Sequence, residues 1–128
     1  MLVTRETDYA VRCALYLAGT DAEVTSVAEI AVHTQVPKIF LAKILQRMMR
    51  AGIVKSLRGT KGGFCLAKPP AAITLLDIVR GIQQSTGINL CAVHPVWIDI
   101  RTGVENRLQQ INLEYLRQQD GKLNKTCP

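Results

Sequence analysis

The sequence predicts a mainly α chain in which three helices lead into a two-stranded β hairpin and a long C-terminal helix follows. Three observations carry this. Between Val36 and Leu66, an amphipathic stretch stopped by Gly52 is followed by two short β-prone runs flanking a basic glycine turn, Arg58-Gly59-Thr60-Lys61-Gly62-Gly63. A short helical pattern and a tight turn precede that stretch. The window from Ile30 to Leu76 holds eight Lys or Arg and no Asp or Glu. A helix joined to a glycine-tipped hairpin, all of one charge sign, is the outline of a winged helix-turn-helix that grips DNA.

Composition sets the frame. At 128 residues the chain is one domain, or one domain and a small appendage. Its apolar content of 48% is ample for a core, and its aromatic content of 5% suits helices built on Leu, Ile, Val and Ala. No apolar run approaches the ~20 residues a membrane span needs. Arg5, Glu6, Asp8 and Arg12 interrupt any signal-peptide core, so a cytoplasmic protein with no membrane partner is expected. The net charge of +6 is unevenly placed: −3 over residues 1–29, +8 over 30–76 and +1 over 77–128. A phosphate backbone attracts such a middle segment by counterion release. Cys13, Cys65, Cys91 and Cys127 are widely separated, which does not suit a disulfide framework in a reducing compartment.

Thr4 to Gly19 reads as the first helix, capped by Thr4 or Thr7, with Glu6 and Asp8 at its positive end. Apolar residues cover most of its circumference, so it is expected to be buried on more than one side, with Cys13 as a small core residue. Thr20 to Val24 is a polar loop. Thr25 or Ser26 starts the second helix, and Glu29 fits a capping box with Ser26. After the turn His33-Thr34-Gln35-Val36, Pro37 suits the first turn of a third helix running to about Ala51. Ile39, Phe40, Leu41, Ile44, Leu45 and Met48 recur at helical spacing and are expected in the core. Lys38, Lys43, Arg47 and Arg50 lie mainly on other faces.

In a helix-turn-helix the early residues of the third helix approach base edges and the surrounding cations meet phosphates. Lys38 and Lys43 are therefore the expected groove contacts, and Arg47 either supports them or solvates the helix. In the hairpin, Lys55 faces out, Arg58 suits a narrow minor groove, and Gly59, Gly62 and Gly63 allow positive φ and close approach. The expected DNA-facing set is Lys38, Lys43, Arg47, Lys55, Arg58, Gly59 and Lys61. A solvated hairpin is the plain alternative. The glycine turn lacks the order Gly-x-x-x-x-Gly-Lys-Ser/Thr of a nucleotide phosphate loop.

Thr74 caps a fourth helix, with Asp77 three residues on and Leu75, Leu76, Ile78, Val79 and Ile82 as its apolar set. A last helix is expected from about Pro95 to Gln119. Trp97, Ile100, Val104, Leu108, Ile111, Tyr115 and Leu116 form a stripe spaced by three and four, which suits pairing with a second copy. Gly103, in its middle, costs about 1 kcal/mol of helix propensity and offers a close approach or a kink. The segment from Asp120 to Pro128 is polar and reads as a tail.

These residues resemble the IscR, NsrR and CymR family of bacterial winged-helix transcriptional regulators. The resemblance rests on Thr7 to Arg12, Leu41 to Val54, Arg58-Gly59-x-x-Gly62-Gly63-Phe64, Ile73-Thr74, Cys91-x-x-His94-x-x-Trp97 and Ile111-Asn112-Leu113-x-x-Leu116. It covers nearly the whole chain. It implies a homodimer on a near-palindromic DNA operator, with the long helix as dimer interface and Arg58 in the minor groove. It divides the chain into a DNA-binding domain over 1–84, a shortened sensor loop over 85–90, and a dimerisation helix with tail over 91–128. Recognition helices of the family often open on serines, whereas this one opens on Pro37-Lys38-Ile39, so a different operator is expected.

Cluster-binding members of the family carry three cysteines before the long helix, completed by a histidine or by an acid of the first helix. Cys91 matches the last cysteine, His94 the histidine and Asp8 the acid. The loop from Ser85 to Leu90 is too short for the other two cysteines, and Cys91 with His94 is half a coordination shell. Loss of the iron–sulfur cluster is therefore favoured over a site completed by Asp8 of a second copy, and no other cofactor or metal is implied. Members without a cluster respond to a partner protein, a small molecule or thiol oxidation. The plain alternatives are a buried Cys91, a helix-capping His94 and an Asp8 acting only on the helix dipole. The competing reading is a winged-helix protein–protein interaction module that binds no DNA. With His33 and His94 far apart and no nucleophile paired with a base, an enzyme is not expected.

Overall fold

The computed structural model describes residues 4–60, 62–83 and 95–126, and the side chains of these except 95–98 and 120–126. The order of elements is α1 (Arg5–Gly19), α2 (Val27–Thr34), α3 (Lys38–Arg50), β1 (Val54–Leu57), β2 (Gly63–Leu66), a 3-10 turn (Pro70–Ala72), α4 (Leu75–Gln83), α5 (Pro95–Gln110) and α6 (Leu113–Thr126). This is the expected mainly α winged helix-turn-helix, with one two-stranded antiparallel sheet.

The helix starts are written in the sequence. Thr4 caps α1, its side chain accepting from the Thr7 amide at 3.1 Å. Ser26 caps α2 by accepting from the Glu29 amide at 3.2 Å. At α4 the Thr74 hydroxyl accepts from the Asp77 amide at 3.1 Å, and the Thr74 amide donates to the Asp77 carboxylate at 3.0 Å, a reciprocal capping box. Gln35 closes α2 in the left-handed region at φ 60°.

α1 is the central helix and packs against α2, α3, α4 and α6. Its small buried stripe, Ala10, Cys13, Ala14 and Leu17, lets these helices approach closely. Leu41, Ile44, Leu45 and Met48 of α3 join that core with Ile30, Val36, Ile53, Val54, Ile73, Ile78 and Ile82. Two residues expected there lie outside it. Ile39 is 75% exposed and Phe40 is 44% exposed. The buried stripe of α3 begins only at Leu41, and at 3.6 residues per turn Ile39 falls on the opposite side. Phe40 lies between the two faces, with its ring 6.3 Å from that of Tyr9.

β1 and β2 pair in the register Val54–Leu66, Lys55–Cys65, Ser56–Phe64 and Leu57–Gly63. The hairpin has a third edge that the sequence did not reveal. Thr25, read as a helix start, instead forms an isolated bridge to Phe64, with amide-to-carbonyl bonds of 2.9 and 2.8 Å. Ser26 alone caps α2. The wing is thereby tied to the entry of α2.

The expected single helix from Pro95 to Gln119 is two helices. The break falls at Ile111-Asn112, not at Gly103, which lies inside α5. The cause is tertiary. The Leu75 amide donates to the Ile111 carbonyl at 2.8 Å, and the Leu113 amide to the Ile73 carbonyl at 3.1 Å. Asn112 then caps α6, its side chain accepting from the Tyr115 amide at 2.8 Å. α6 turns back onto α1 and the 3-10 turn, and Leu113 is fully buried. It runs on to Thr126 through much of the expected tail. α5 packs against α4. The C-terminal stripe is therefore partly covered within its own chain: Val104, Leu108 and Ile111 are half-buried, while Ile100 and Tyr115 are exposed. Trp97 lies outside the residues whose side chains are described.

Gly63 is the tightest point of the wing. A Cβ there would collide with the backbone carbonyl of Thr25. Gly63→Ala is expected to separate the wing from α2 and to cost about 2 kcal/mol or more, in the range of other changes that break a packed backbone contact. Urea unfolding measures this, and a variant as stable as the parent would show that the Thr25–Phe64 bridge does not hold the wing.

Candidate nucleic-acid interface

The outward face of α3 follows from its inward one. With Leu41, Ile44, Leu45 and Met48 buried, the helical period places Ile39, Lys43, Gln46 and Arg50 on the opposite stripe, and all four are exposed. Lys38 stands at the first turn to one side of this stripe, also exposed. Sequence reading singled out Lys38 and Lys43 but passed over Gln46 and Arg50 as groove-facing residues. Their signal was available in the phase of the buried stripe, once Ile39 and Phe40 are removed from it.

Arg47 is placed differently. It is half-buried, and its guanidinium donates to the Glu6 carboxylate at 2.7 Å. Glu6 is half-exposed, so the pair contributes little energy by itself. It does hold the Arg47 side chain towards α1 and away from the outward stripe. By contrast Lys38, Lys43, Arg50, Lys55, Arg58 and Lys68 are all exposed, and none forms an ion pair among the described residues. Elsewhere basic groups are paired with acids: Asp8 bonds Arg12 at 2.9 Å, and Glu105 lies 3.2 Å from Arg101 and 3.4 Å from Arg80. Among the described residues the exposed cations without an acidic partner thus lie on α3 and the wing, apart from Arg5 and Arg107.

The wing tip is built for a tight turn. Gly59 has φ +129°, which a side chain would strain, and the Gly62 amide donates to the Gly59 carbonyl at 3.0 Å. A Cβ on Gly62 would lie 2.7 Å from the Leu57 carbonyl oxygen. Arg58 is exposed at the start of this turn, and Lys61 lies outside the described residues. The glycines thus serve the turn's own geometry and present Arg58 beyond the end of β1.

Donors for an iron–sulfur cluster are not gathered among the described residues. Cys13 is buried in the core, and that burial pushes its thiol up to about 12, a protonated and unreactive state at neutral pH. Cys65 is half-buried on β2. Asp8 is exposed and engaged by Arg12. His33 stacks on Tyr16 with ring centroids 4.9 Å apart. Cys91 and His94 lie outside the described residues.

A buried-core helix-turn-helix, a glycine-tipped wing and a face of unpaired cations together define a winged-helix protein of the DNA-binding class. The comparisons with known proteins specify it further. The model of the Rrf2 family, described as iron-dependent transcriptional regulators, matches residues 3–119, and the chain belongs to that family. The family's description is of regulators, not enzymes. Among curated relatives, protein aau3 of Rhizobium meliloti is 40% identical over 91 residues, 71% of this chain and 59% of the relative. An HTH-type transcriptional regulator of Aquifex aeolicus is 34% identical over 95 residues, 74% of this chain and 66% of the relative. The chain thus spans less than two thirds of these relatives' length. Among solved structures, CymR, the global cysteine regulator of B. subtilis, superposes with a TM-score of 0.76 at 29% identity, over 92% of this chain and 97% of that one. IscR of T. potens superposes with a TM-score of 0.78 at 27% identity, over 94% of this chain and 88% of that one.

Proposed function

We propose that this protein is a transcriptional repressor that binds, as a homodimer, a near-palindromic operator in the DNA of the cell that makes it. The observation that carries the reading is the concentration of exposed, unpaired cations on α3 and the wing within a 47-residue window that holds no acid. α3 enters the major groove with Lys43 towards the bases and Lys38 and Arg50 towards the phosphates. Arg58 reaches the adjacent minor groove from the wing, with Lys55 and Lys61 beside the backbone. Arg47 acts as a positioning residue that braces α3 against α1 through Glu6.

Duplex binding should be steeply salt-dependent, since each phosphate contact releases counterion. Lys43→Glu is expected to abolish operator binding with an unchanged circular dichroism spectrum, and Arg58→Ala to weaken it and reduce the salt slope by about two, one for each protomer of the dimer. Electrophoretic shift across a salt series measures both. No detectable binding to any duplex at low salt would favour a protein-interaction module, whereas duplex binding that ignores both substitutions would place the recognition face elsewhere.

The dimer contact we assign to the exposed part of the C-terminal stripe around Ile100 on α5, with the half-buried Val104 beside it. Two copies related by a two-fold axis match the symmetry of a palindromic site. Ile100→Asp together with Val104→Asp should give a folded monomer in sedimentation. A species that remains dimeric would move the interface elsewhere, for example to Tyr115.

The signal, on this reading, does not enter through a cluster held by one chain, because Cys91, His94 and Asp8 supply too few donors. Cys91 is the first residue to implicate in a thiol or ligand response. Iron and acid-labile sulfide analysis of protein purified without oxygen should find neither, whereas stoichiometric amounts of both would restore the iron-dependent mode of the family's description.

A further inference from the structure

Ile39 is the most exposed large apolar side chain among the described residues, at 75%. It stands in the first turn of α3, on the same outward stripe as Lys43, Gln46 and Arg50. Phe40, its neighbour, is partly covered and has Tyr9 beside it. Ile39 lies on the side of α3 opposite the stripe that enters the core. The next residue along this outward surface, Ala42, is also exposed and also lacks a polar group. An apolar pair, Ile39 and Ala42, thus sits inside a face whose other members are cations or an amide.

The chemistry of the duplex says what such a pair can recognise. In the major groove every base edge offers hydrogen-bond donors or acceptors, and the one apolar group presented is the C5-methyl of thymine. An isoleucine at the opening of a recognition helix has nothing to donate or accept, and it would leave a guanine or cytosine edge unpaired. We propose that Ile39, flanked by Ala42, reads a thymine methyl in each half-site. One base pair of the operator is then specified by apolar contact, while Lys43 and Gln46, about one and two turns further along, are placed to read polar edges. This rests on the DNA-binding reading above and deepens it: it names what the outward face selects.

The test starts from the full chain and a pool of duplexes with a randomised central segment. Sites are selected with the parent protein and with Ile39→Ala. The parent should enrich a two-fold-symmetric site with a fixed thymine in each half. That thymine should lose its preference with Ile39→Ala while the remaining positions stay selected. The selected site is then remade with deoxyuridine at that thymine, which deletes only the methyl. Parent affinity should fall about fourfold per half-site, as for one buried methyl group. The affinity of Ile39→Ala should change by less than twofold. The deoxyuridine comparison on the parent needs no variant, so misfolding of Ile39→Ala cannot hide the answer. The proposal is overturned if deoxyuridine at every selected thymine leaves parent affinity unchanged, or if Ile39→Ala suffers the same loss as the parent. Failure of the parent to enrich any duplex has a different meaning: it overturns the DNA-binding reading itself.

Discussion

The packing of α3 on α1 is the contact on which the rest of this molecule depends. Leu41, Ile44, Leu45 and Met48 of α3 are buried in one core with Ala10, Cys13, Ala14 and Leu17 of α1. Because a helix is rigid about its axis, burying one stripe fixes the direction of every other side chain on it. Lys43, Gln46 and Arg50 point outward for no reason of their own; they do so because Leu41 and Leu45 point inward. The Glu6–Arg47 pair and the Tyr9–Phe40 ring contact lie along one flank of this interface, since Phe40 and Arg47 are seven residues apart on α3. The arrangement of the basic face is thus a consequence of core packing.

The wing depends on a second, smaller constraint. A two-stranded hairpin alone is marginal in water. Here β2 acquires a further backbone partner in Thr25, and Gly63 permits the approach by having no Cβ. The same bridge connects the wing to the residue before the Ser26 cap of α2. Helix-turn-helix and wing are therefore joined twice, through the chain at Gly52 and through this bridge. That connection lets Arg58 and Lys43 act as parts of one surface.

Local signals in the sequence were reliable where the physics is local. Thr4 or Thr7, Thr25 or Ser26, and the Thr74–Asp77 pair announced three helix starts, and of the alternatives Thr4 and Ser26 form the caps. The glycine turn announced the hairpin. The acid-free window announced the basic face, since charge of one sign has no partner nearby in sequence and is left exposed. Two readings went further than their signal allowed. An apolar residue next to an apolar stripe, such as Ile39, looks like part of it until the phase of the buried face is known. In the helical pattern from Pro95 to Gln119, Asn112 suits a helix cap, but nothing local marks the backbone bonds to Ile73 and Leu75 that interrupt the helix there.

The sequence by itself determined the fold class, the helix caps, the hairpin and the sign and place of the charge, because each is set within a few residues along the chain. Only the tertiary structure decided which face of α3 looks outward, which of its cations is taken by Glu6, and where the C-terminal segment breaks. Those depend on contacts between residues 40 or so apart in sequence: Glu6 with Arg47, Thr25 with Phe64, and Ile73 and Leu75 with the Ile111–Leu113 backbone. Such contacts form once a shared core has brought the elements together, and no periodicity in a single element can specify them.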